Sequence, residues 1–425
     1  MAINRKIIVL ILTIVISYLY LFSYSNSSRQ RVIKIGILHS RTGPLAFSET
    51  PVIDTTLFAI NEINTNGGVL KKLIEPILAD GKSDPDTFAK EAEKLITENK
   101  VEALFGCWTS ASRKAVKPII EKYNKLLFYP VQYEGLEESK NIIYLDLTPN
   151  QQILPAIAWL INNVGKKIFL VGSDYIYPRA ANEIIKEIAP KIGATIVGDE
   201  YLNLKDENFT KIIQKISITK PDIIINTING SGNIPFFKEL NKIQTKDYPI
   251  NIVSFSLSEN DFNLLDTSNI KGIYLCWSYT EHITSKENIE FLKKFKSKFG
   301  KHREVNDAMQ TAYMGVYSWE NAVRLADTTE TSQVIKKLTT FVFDSPQGIV
   351  KIEQDGNTWN PVYIIQIHNN KKSEIIWQSG VPVEPIAFPN NFFISKFIKN
   401  KKNQIEWTQF LDNLYKKWGG QWEAN

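Results

Sequence analysis

Residues 105–135 read FGCWTSASRKAVKPIIEKYNKLLFYPVQYEG. The apolar run 101–105 leads into them with the length and composition of a buried strand. Gly106 breaks that strand, and Cys107-Trp108-Thr109-Ser110 forms a loop. Val116, Ile119, Ile120 and Tyr123 then recur at i, i+3, i+4 and i+7, the apolar face of a helix. Thr109 or Ser110 is placed to cap it, which puts a hydroxyl and unpaired backbone N–H groups where strand meets helix. Pro118 lies inside the predicted helix and is expected to kink it. Residues 126–129 return as the next strand, and Pro130-Val131-Gln132-Tyr133 is the loop at its carboxyl end. Two strand-end loops rich in aromatic and hydrogen-bonding side chains thus lie close in sequence. In open parallel α/β sheets, ligands bind at that edge.

The same alternation extends in both directions. Residues 32–38 make the first strand, and 74–79 another. Pro51 is read as opening the helix between them, and Asp84-Pro85 as starting the next. A short strand at 142–145 closes the unit, and Thr148-Pro149-Asn150 marks a boundary. The pattern then restarts, with strands at 168–171, 195–197, 223–225, 250–253 and 272–276. Gly172-Ser173-Asp174-Tyr175-Ile176-Tyr177-Pro178 is again a loop at a strand's carboxyl end. From residue 285 the pattern is helical. Ser345-Pro346-Gln347-Gly348 interrupts it, and antiparallel strands follow at 349–353, 361–368 and 374–378. Strands alternating with helices specify an α/β fold with mostly parallel sheets.

At 425 residues, with 43% apolar and 22% charged composition, the chain is globular and large enough for two domains. Fifty basic residues against 45 acidic ones give a net charge of +5, a mixed surface without the concentrated basic face that nucleic-acid binding requires. Arg5-Lys6, an apolar run over 7–22 and a polar Ser/Asn stretch read as an export signal, with an uncleaved membrane anchor as the alternative. The two cysteines, Cys107 and Cys276, are read as buried free thiols, although an exported protein would allow them to pair.

Several motifs carry the stronger argument. FGCWTSASRKAVKPIIE, LLFYPVQYEGLE, TPNQQILPAIAWL, LVGSDYIYPRAANEI and NTINGSGN resemble the substrate-binding protein of bacterial urea ABC transporters. GCxTSxxRKAVxP and GSDYIYPR are shared with a near relation, the amide-binding regulator of aliphatic amidase operons. The resemblance covers residues 32–388 and implies a type I periplasmic-binding-protein fold, with two α/β lobes, three hinge crossings and a ligand in the cleft between them. It places the crossings near Thr148-Pro149, at 278–282 and at 345–348. Lobe 1 is then 32–147 plus 282–345, lobe 2 is 148–281 plus 346–390, and 391–425 is an amphipathic helical extension outside the pattern.

Matching residue by residue, the resemblance assigns the ligand to Trp108, Ser110, Tyr129, Val131 and Gln132 from lobe 1 and to Tyr175 and Tyr177 from lobe 2. Ser258 and Glu259 are further candidates for the cleft. The implied ligand is urea or a short-chain amide, and the implied partner is an ABC transporter permease in a periplasmic or extracytoplasmic setting. Membrane contact would come only through the N-terminal segment or the permease. An amide-sensing regulator has the same pocket but works in the cytoplasm, against which the N-terminal segment argues.

The residue chemistry agrees. Urea has one strong acceptor and four donor hydrogens, and each buried group left unpaired costs about 1–3 kcal/mol. A Ser110 hydroxyl and helix N–H groups suit the carbonyl, while the Gln132 carbonyl and tyrosine oxygens suit the N–H groups. Trp108 and Gln132 follow the urea proteins, whereas an apolar wall at Val131 suits the methyl of acetamide. No catalytic residue, cofactor or metal is expected. Cys107 has no dedicated base in sequence. His39, His282, His302 and His368 lack metal-type spacing, and Gly230-Ser231-Gly232 is not followed by the Gly-Lys-Ser/Thr of a phosphate loop. The extension, with Trp407, Leu411, Leu414 and Trp418 at helical spacing, reads as a packed or solvated element, with membrane-surface or partner docking as the alternative.

Overall fold

Two mostly parallel sheets, each covered by helices, organise the chain. The computed structural model describes residues 32–243, 250–268, 270–368, 372–388 and 401–424. The expected signal or anchor at 1–30 lies outside the described residues.

The first sheet contains β1 (Val32–His39), β2 (Leu73–Asp80), β3 (Ala103–Gly106), β4 (Leu126–Tyr129) and β5 (Ile142–Tyr144) in the order β2-β1-β3-β4-β5, all parallel. Between them run α1 (Ala46–Thr65), α2 (Pro85–Thr97) and α3 (Ser110–Lys122). The central strands are buried on both faces, which accounts for the apolar residues 103–105 leading into Gly106. Gly106 has φ +146°, and a Cβ there would meet the Leu38 carbonyl oxygen at 2.0 Å, so β3 approaches β1 at a position only glycine can fill. Asp84 caps α2, accepting from the Thr87 N–H at 2.7 Å, and Thr109 caps α3, accepting from the Ser112 N–H at 3.0 Å.

One sequence expectation about proline changes. Helix α1 begins at Ala46, not at Pro51, because a turn from Gly43 to Ala46 already nucleates it. A proline in its second turn removes a single bond, to the Phe47 carbonyl. Helix α3 is assigned continuously across Pro118.

The second sheet contains β6 (Lys167–Ser173), β7 (Thr195–Leu202), β8 (Ile223–Thr227), β9 (Asn251–Ser254) and β10 (Gly272–Trp277), parallel, extended by the antiparallel β14 (Tyr363–Ile367) and β15 (Ser373–Gln378). Helices α4 (Pro149–Asn163), α5 (Ile176–Ile188), α6 (Thr210–Thr219) and α7 (Asn233–Ile243) flank it. The later helices α8 (Lys286–Phe299), α9 (Asp307–Ala326) and α10 (Thr331–Leu338) return to the first lobe, where Phe291, Phe295 and Tyr313 pack around Phe58.

The chain changes core three times: between Leu145 and Leu147, between Trp277 and Tyr279, and between Ile352 and Val362. The third change falls later than the expected 345–348. Those residues form a tight hairpin between β11 (Val342–Ser345) and β12 (Gly348–Ile352), closed by the Ser345 hydroxyl donating to the Gly348 carbonyl at 2.9 Å. With β13 (Thr358–Trp359) these strands make a separate antiparallel sheet, and Val350 and Ile352 enter the first core rather than the second.

Two crossings are bonded side by side. Thr358 donates to the Tyr144 carbonyl at 2.9 Å and Asn360 to the Leu145 carbonyl at 3.3 Å. At the other, the Ser278 hydroxyl lies 3.0 Å from Asp146 Oδ1 and 2.8 Å from Asp307 Oδ1, all three buried. One hydroxyl proton serves only one acceptor, so the arrangement favours a proton on one of the two carboxyls. Burial pushes both acids up, consistent with a shared proton.

Candidate functional site

The carboxyl ends of four strands, two from each lobe, meet at one small slot. Trp108 and Ser110 follow β3. Tyr129 ends β4, with Val131 and Gln132 in the loop beyond. From the second lobe, Tyr175 precedes α5, Tyr177 lies in its first turn, and Asn229 follows β8. These eight residues line one tight slot, with a free volume of only about 10 Å³. All seven residues expected from sequence are therefore brought together.

Asn229 was missed. Its signal was present in NTINGSGN, a strand end in the second unit equivalent to those that supplied the other residues. Of the two further candidates, Ser258 lines an outer chamber of about 140 Å³ that shares Trp108, Val131 and Gln132 with the slot. Glu259 lines neither cavity. Its carboxylate accepts from Thr280 at 2.7 Å and Ser373 at 3.1 Å, and burial pushes it up to about 7.

Hydrogen bonds fix which groups remain available in the slot. The Tyr129 hydroxyl donates to the Trp108 carbonyl at 2.6 Å. Asn229 donates from Nδ2 to the Tyr175 oxygen at 2.7 Å, while its Oδ1 lies 3.4 Å from the Trp108 ring N–H. Tyr175 is thus an acceptor within the protein, and its own proton has no partner among the described residues. Gln132 donates from Nε2 to the Phe255 carbonyl at 2.6 Å, which turns Oε1 away from that carbonyl. The Tyr177 hydroxyl lies between Gln152 Oε1 at 3.2 Å and the Phe255 carbonyl at 3.3 Å. Burial pushes Tyr129, Tyr175 and Tyr177 up, so all three are neutral hydroxyls at physiological pH.

Ser110 lines the slot, but its hydroxyl is engaged within the protein. Its hydroxyl donates to Glu134 Oε2 and accepts from Arg113 Nη1 at 3.0 Å. The proton expected for a ligand carbonyl is committed, and only a lone pair remains. Tyr175 is the better-placed donor.

Behind Ser110 lies a buried ion cluster. Arg113 is fully buried, bonded to Glu134 at 2.8 Å and Glu137 at 2.7 Å, with the rings of Tyr129 and Tyr133 each 4.9 Å away. Lys114 reaches Glu137 at 2.7 Å. Burial pushes the Glu137 carboxyl up, but Arg113, Lys114 and Lys117 more than reverse this and hold it well below the ordinary carboxylate range. Two cations and two anions balance, and none of the four lines the slot.

Cys107 and Cys276 are both buried free thiols, and burial pushes both up, away from the thiolate form. Among the described residues no cluster of His, Cys, Asp and Glu suited to a metal ion occurs, and no helix is long and apolar enough to cross a membrane.

A family model for the periplasmic binding protein domain matches residues 33–392. The chain belongs to the periplasmic binding proteins of type I. Among solved structures, it superposes with TM-score 0.74 on a solute-binding protein of an ABC transporter from Rhodopseudomonas palustris in complex with 3,4-dihydroxybenzoic acid, at 20% identity over 83% of this chain and 99% of that one. The branched-chain amino acid transporter substrate-binding protein LivJ from Streptococcus pneumoniae, in complex with isoleucine, gives TM-score 0.71 at 21% identity over 84% and 100%. The Leu/Ile/Val-binding protein BraC3 of Rhizobium johnstonii is 23% identical over 199 residues, 45% of this chain and 53% of that one. The chain spans between about a quarter and about half the length of the curated relatives it matches.

Proposed function

We propose that this chain is an extracytoplasmic solute-binding protein that captures urea, or a closely similar short-chain amide, and delivers it to an ABC transporter permease. The observation that carries the reading is the composition of the slot: eight side chains close together, none of them charged. Charged ligands such as amino acids or aromatic acids favour a charged or strongly polarised partner, and here the nearby ions are already paired with one another.

A small neutral ligand fits the groups that remain. The Tyr175 proton suits the urea carbonyl. Gln132 Oε1 and the remaining Ser110 lone pair suit its amino groups. Acetamide would set a methyl against one of those acceptors and strand it. Val131 is the apolar part of the wall and the feature most favourable to acetamide. The family setting and the signal-like N-terminus support delivery to a permease. The buried, protonated Cys107 gives no support to hydrolysis of the bound amide.

Calorimetry with urea, acetamide, formamide, isoleucine and 3,4-dihydroxybenzoate tests the reading. Urea is expected to bind most tightly. Equal affinity for acetamide would widen the assignment to short-chain amides, and preferred binding of isoleucine or the aromatic acid would overturn it.

A further inference from the structure

The segment beyond the family match, residues 401–424, does more than cover the second lobe. Helix α11 (Lys401–Lys417) and the residue after it bury Trp407, Leu411, Leu414 and Trp418 in the same core as Tyr175 and Tyr177. Gly419 and Gly420, at φ +69° and +87°, turn the chain back, with the Gly420 N–H donating to the Tyr415 carbonyl at 2.9 Å. Residues 422–424 then lie antiparallel to residues 174–176, with Glu423 bridged to Tyr175. The Ile176 N–H donates to the Trp422 carbonyl at 3.0 Å, and the Ala424 N–H donates to the Asp174 carbonyl at 2.9 Å. A third bond, from Asn203 Nδ2 to the Ala424 carbonyl at 3.1 Å, ties this segment to the end of β7. The backbone on both sides of Tyr175 is therefore held by the segment.

The segment also reaches the other lobe. The Trp422 ring packs on Tyr415, 4.6 Å between centroids, and Lys114 Nζ of α3 lies 4.8 Å from its face. Lys114 is one turn from Ser110 and bonds Glu137, within the ion cluster whose Glu134 and Arg113 hold the Ser110 hydroxyl. One short strap thus touches the supports of slot residues in both lobes.

We propose that residues 422–424 are positioning residues for the bound solute: they fix the backbone of Tyr175 and, through Trp422 on Lys114, hold the second lobe against the first, so that they set the rate of solute release. The identity of the solute rests on the preceding reading, but the strap does not. A merely structural anchor would alter thermal stability and leave release unchanged, because Trp422 and Ala424 pack against the second lobe's core in the open and the closed form alike. A strap that acts on the closed form slows opening, and its loss appears in dissociation rather than association.

Two variants test this, a chain ended after Gly420 and the full chain with Trp422→Ala. Stopped-flow measurement with urea is expected to show dissociation about tenfold faster in the shortened chain and severalfold faster in Trp422→Ala, with association rate constants close to the parent's. Folded variants that release urea at the parent's rate would overturn the proposal. Should the shortened chain fail to fold, Trp422→Ala, which leaves the backbone bonds in place, decides alone. Hydrogen exchange of the Ile176 amide without ligand provides a readout independent of the solute. Its protection is expected to fall in the shortened chain, and unchanged protection overturns the strap. Failure of the parent to bind urea would overturn the functional reading and leave the Ile176 measurement to decide this one.

Discussion

Gln132 donates its amide N–H to the backbone carbonyl of Phe255 across the cleft, at 2.6 Å. One end of the side chain is in the first lobe's strand-end loop and its partner follows β9 of the second. The bond both joins the lobes and orients the amide, leaving Oε1 as the acceptor for a ligand amino group. Gln132→Leu removes both functions while keeping volume. Urea affinity is expected to fall by about tenfold or more, a change of roughly 1.4 kcal/mol. Acetamide affinity should fall less, because it has one amino group fewer to satisfy. Competition calorimetry on the variant checks this, and an equal loss for both ligands would remove Gln132 from discrimination.

Tyr175→Phe removes the one proton we assign to the ligand carbonyl and leaves Asn229 Nδ2 without its 2.7 Å acceptor. Affinity for urea and acetamide should fall together, by about 1–3 kcal/mol, since both ligands carry the carbonyl. Parallel titrations of the two ligands measure it.

Ser110→Ala acts on the fold as well as on the slot. The substitution takes a partner from both Glu134 and Arg113 in a buried cluster. Stability should fall by about 1–3 kcal/mol, with weaker urea binding alongside. Unfolding should be followed in guanidinium, since urea is the expected ligand. Unchanged stability would show that the cluster does not depend on the hydroxyl.

Arg113→Met is the severe case. It leaves Glu134 and Glu137 buried without their main cation, and breaking such a pair costs about 3–5 kcal/mol. The loss should appear in the guanidinium midpoint and should be largely recovered in Arg113→Met/Glu134→Gln/Glu137→Gln, which removes the stranded charge. Failure of the triple variant to recover would shift the cost from charge to the packing of Arg113 between its tyrosine rings.

The strap should depend on pH. Burial pushes the Glu423 carboxyl up to about 7; Lys205 pulls it down, while Asp84 and Asp86 push it up. Its value in the docked strap is raised above the ordinary glutamate value, so the protonated form is the one that docks best. Docking is fully supported below about 4.5, weakens as pH rises towards 7 and is level above that. Solute release should therefore be slower at pH 5 than at pH 8. Glu423→Gln should reduce that difference, and the same pH dependence in Glu423→Gln would assign it to another group, with Asp146 and Asp307 at the crossing the first to test.

The sequence made the strand-loop-helix units legible because the central strands are buried on both faces and a clean break follows them, as at Gly106. The slot residues named from sequence came from the resemblance of their motifs to urea-binding proteins; strand-end position alone did not single them out, since Asn229 also follows a strand end and was missed. Direction was not legible. Whether the Ser110 proton faces a ligand or Glu134 depends on where residue 134 lies after a turn, and no local pattern fixes that. The third crossing was misplaced for a similar reason: Pro346-Gln347 is a strong break, but a hairpin and a lobe change both begin with one. The strap was illegible because its partners at residues 174–176 are about 250 positions away.

Gln132 on Phe255 and Trp108 on Asn229 join protein to protein, with no solute in either bond. Such stitches give shutting a free energy of its own. Solute can shift the balance between open and shut forms only by its preference for the shut one, on top of what the stitches already supply. A membrane partner that recognised the shut outline alone would engage empty receptors in proportion to that intrinsic bias. Selective uptake then requires the partner to distinguish occupancy after docking, for instance through how readily the lobes can be pulled apart.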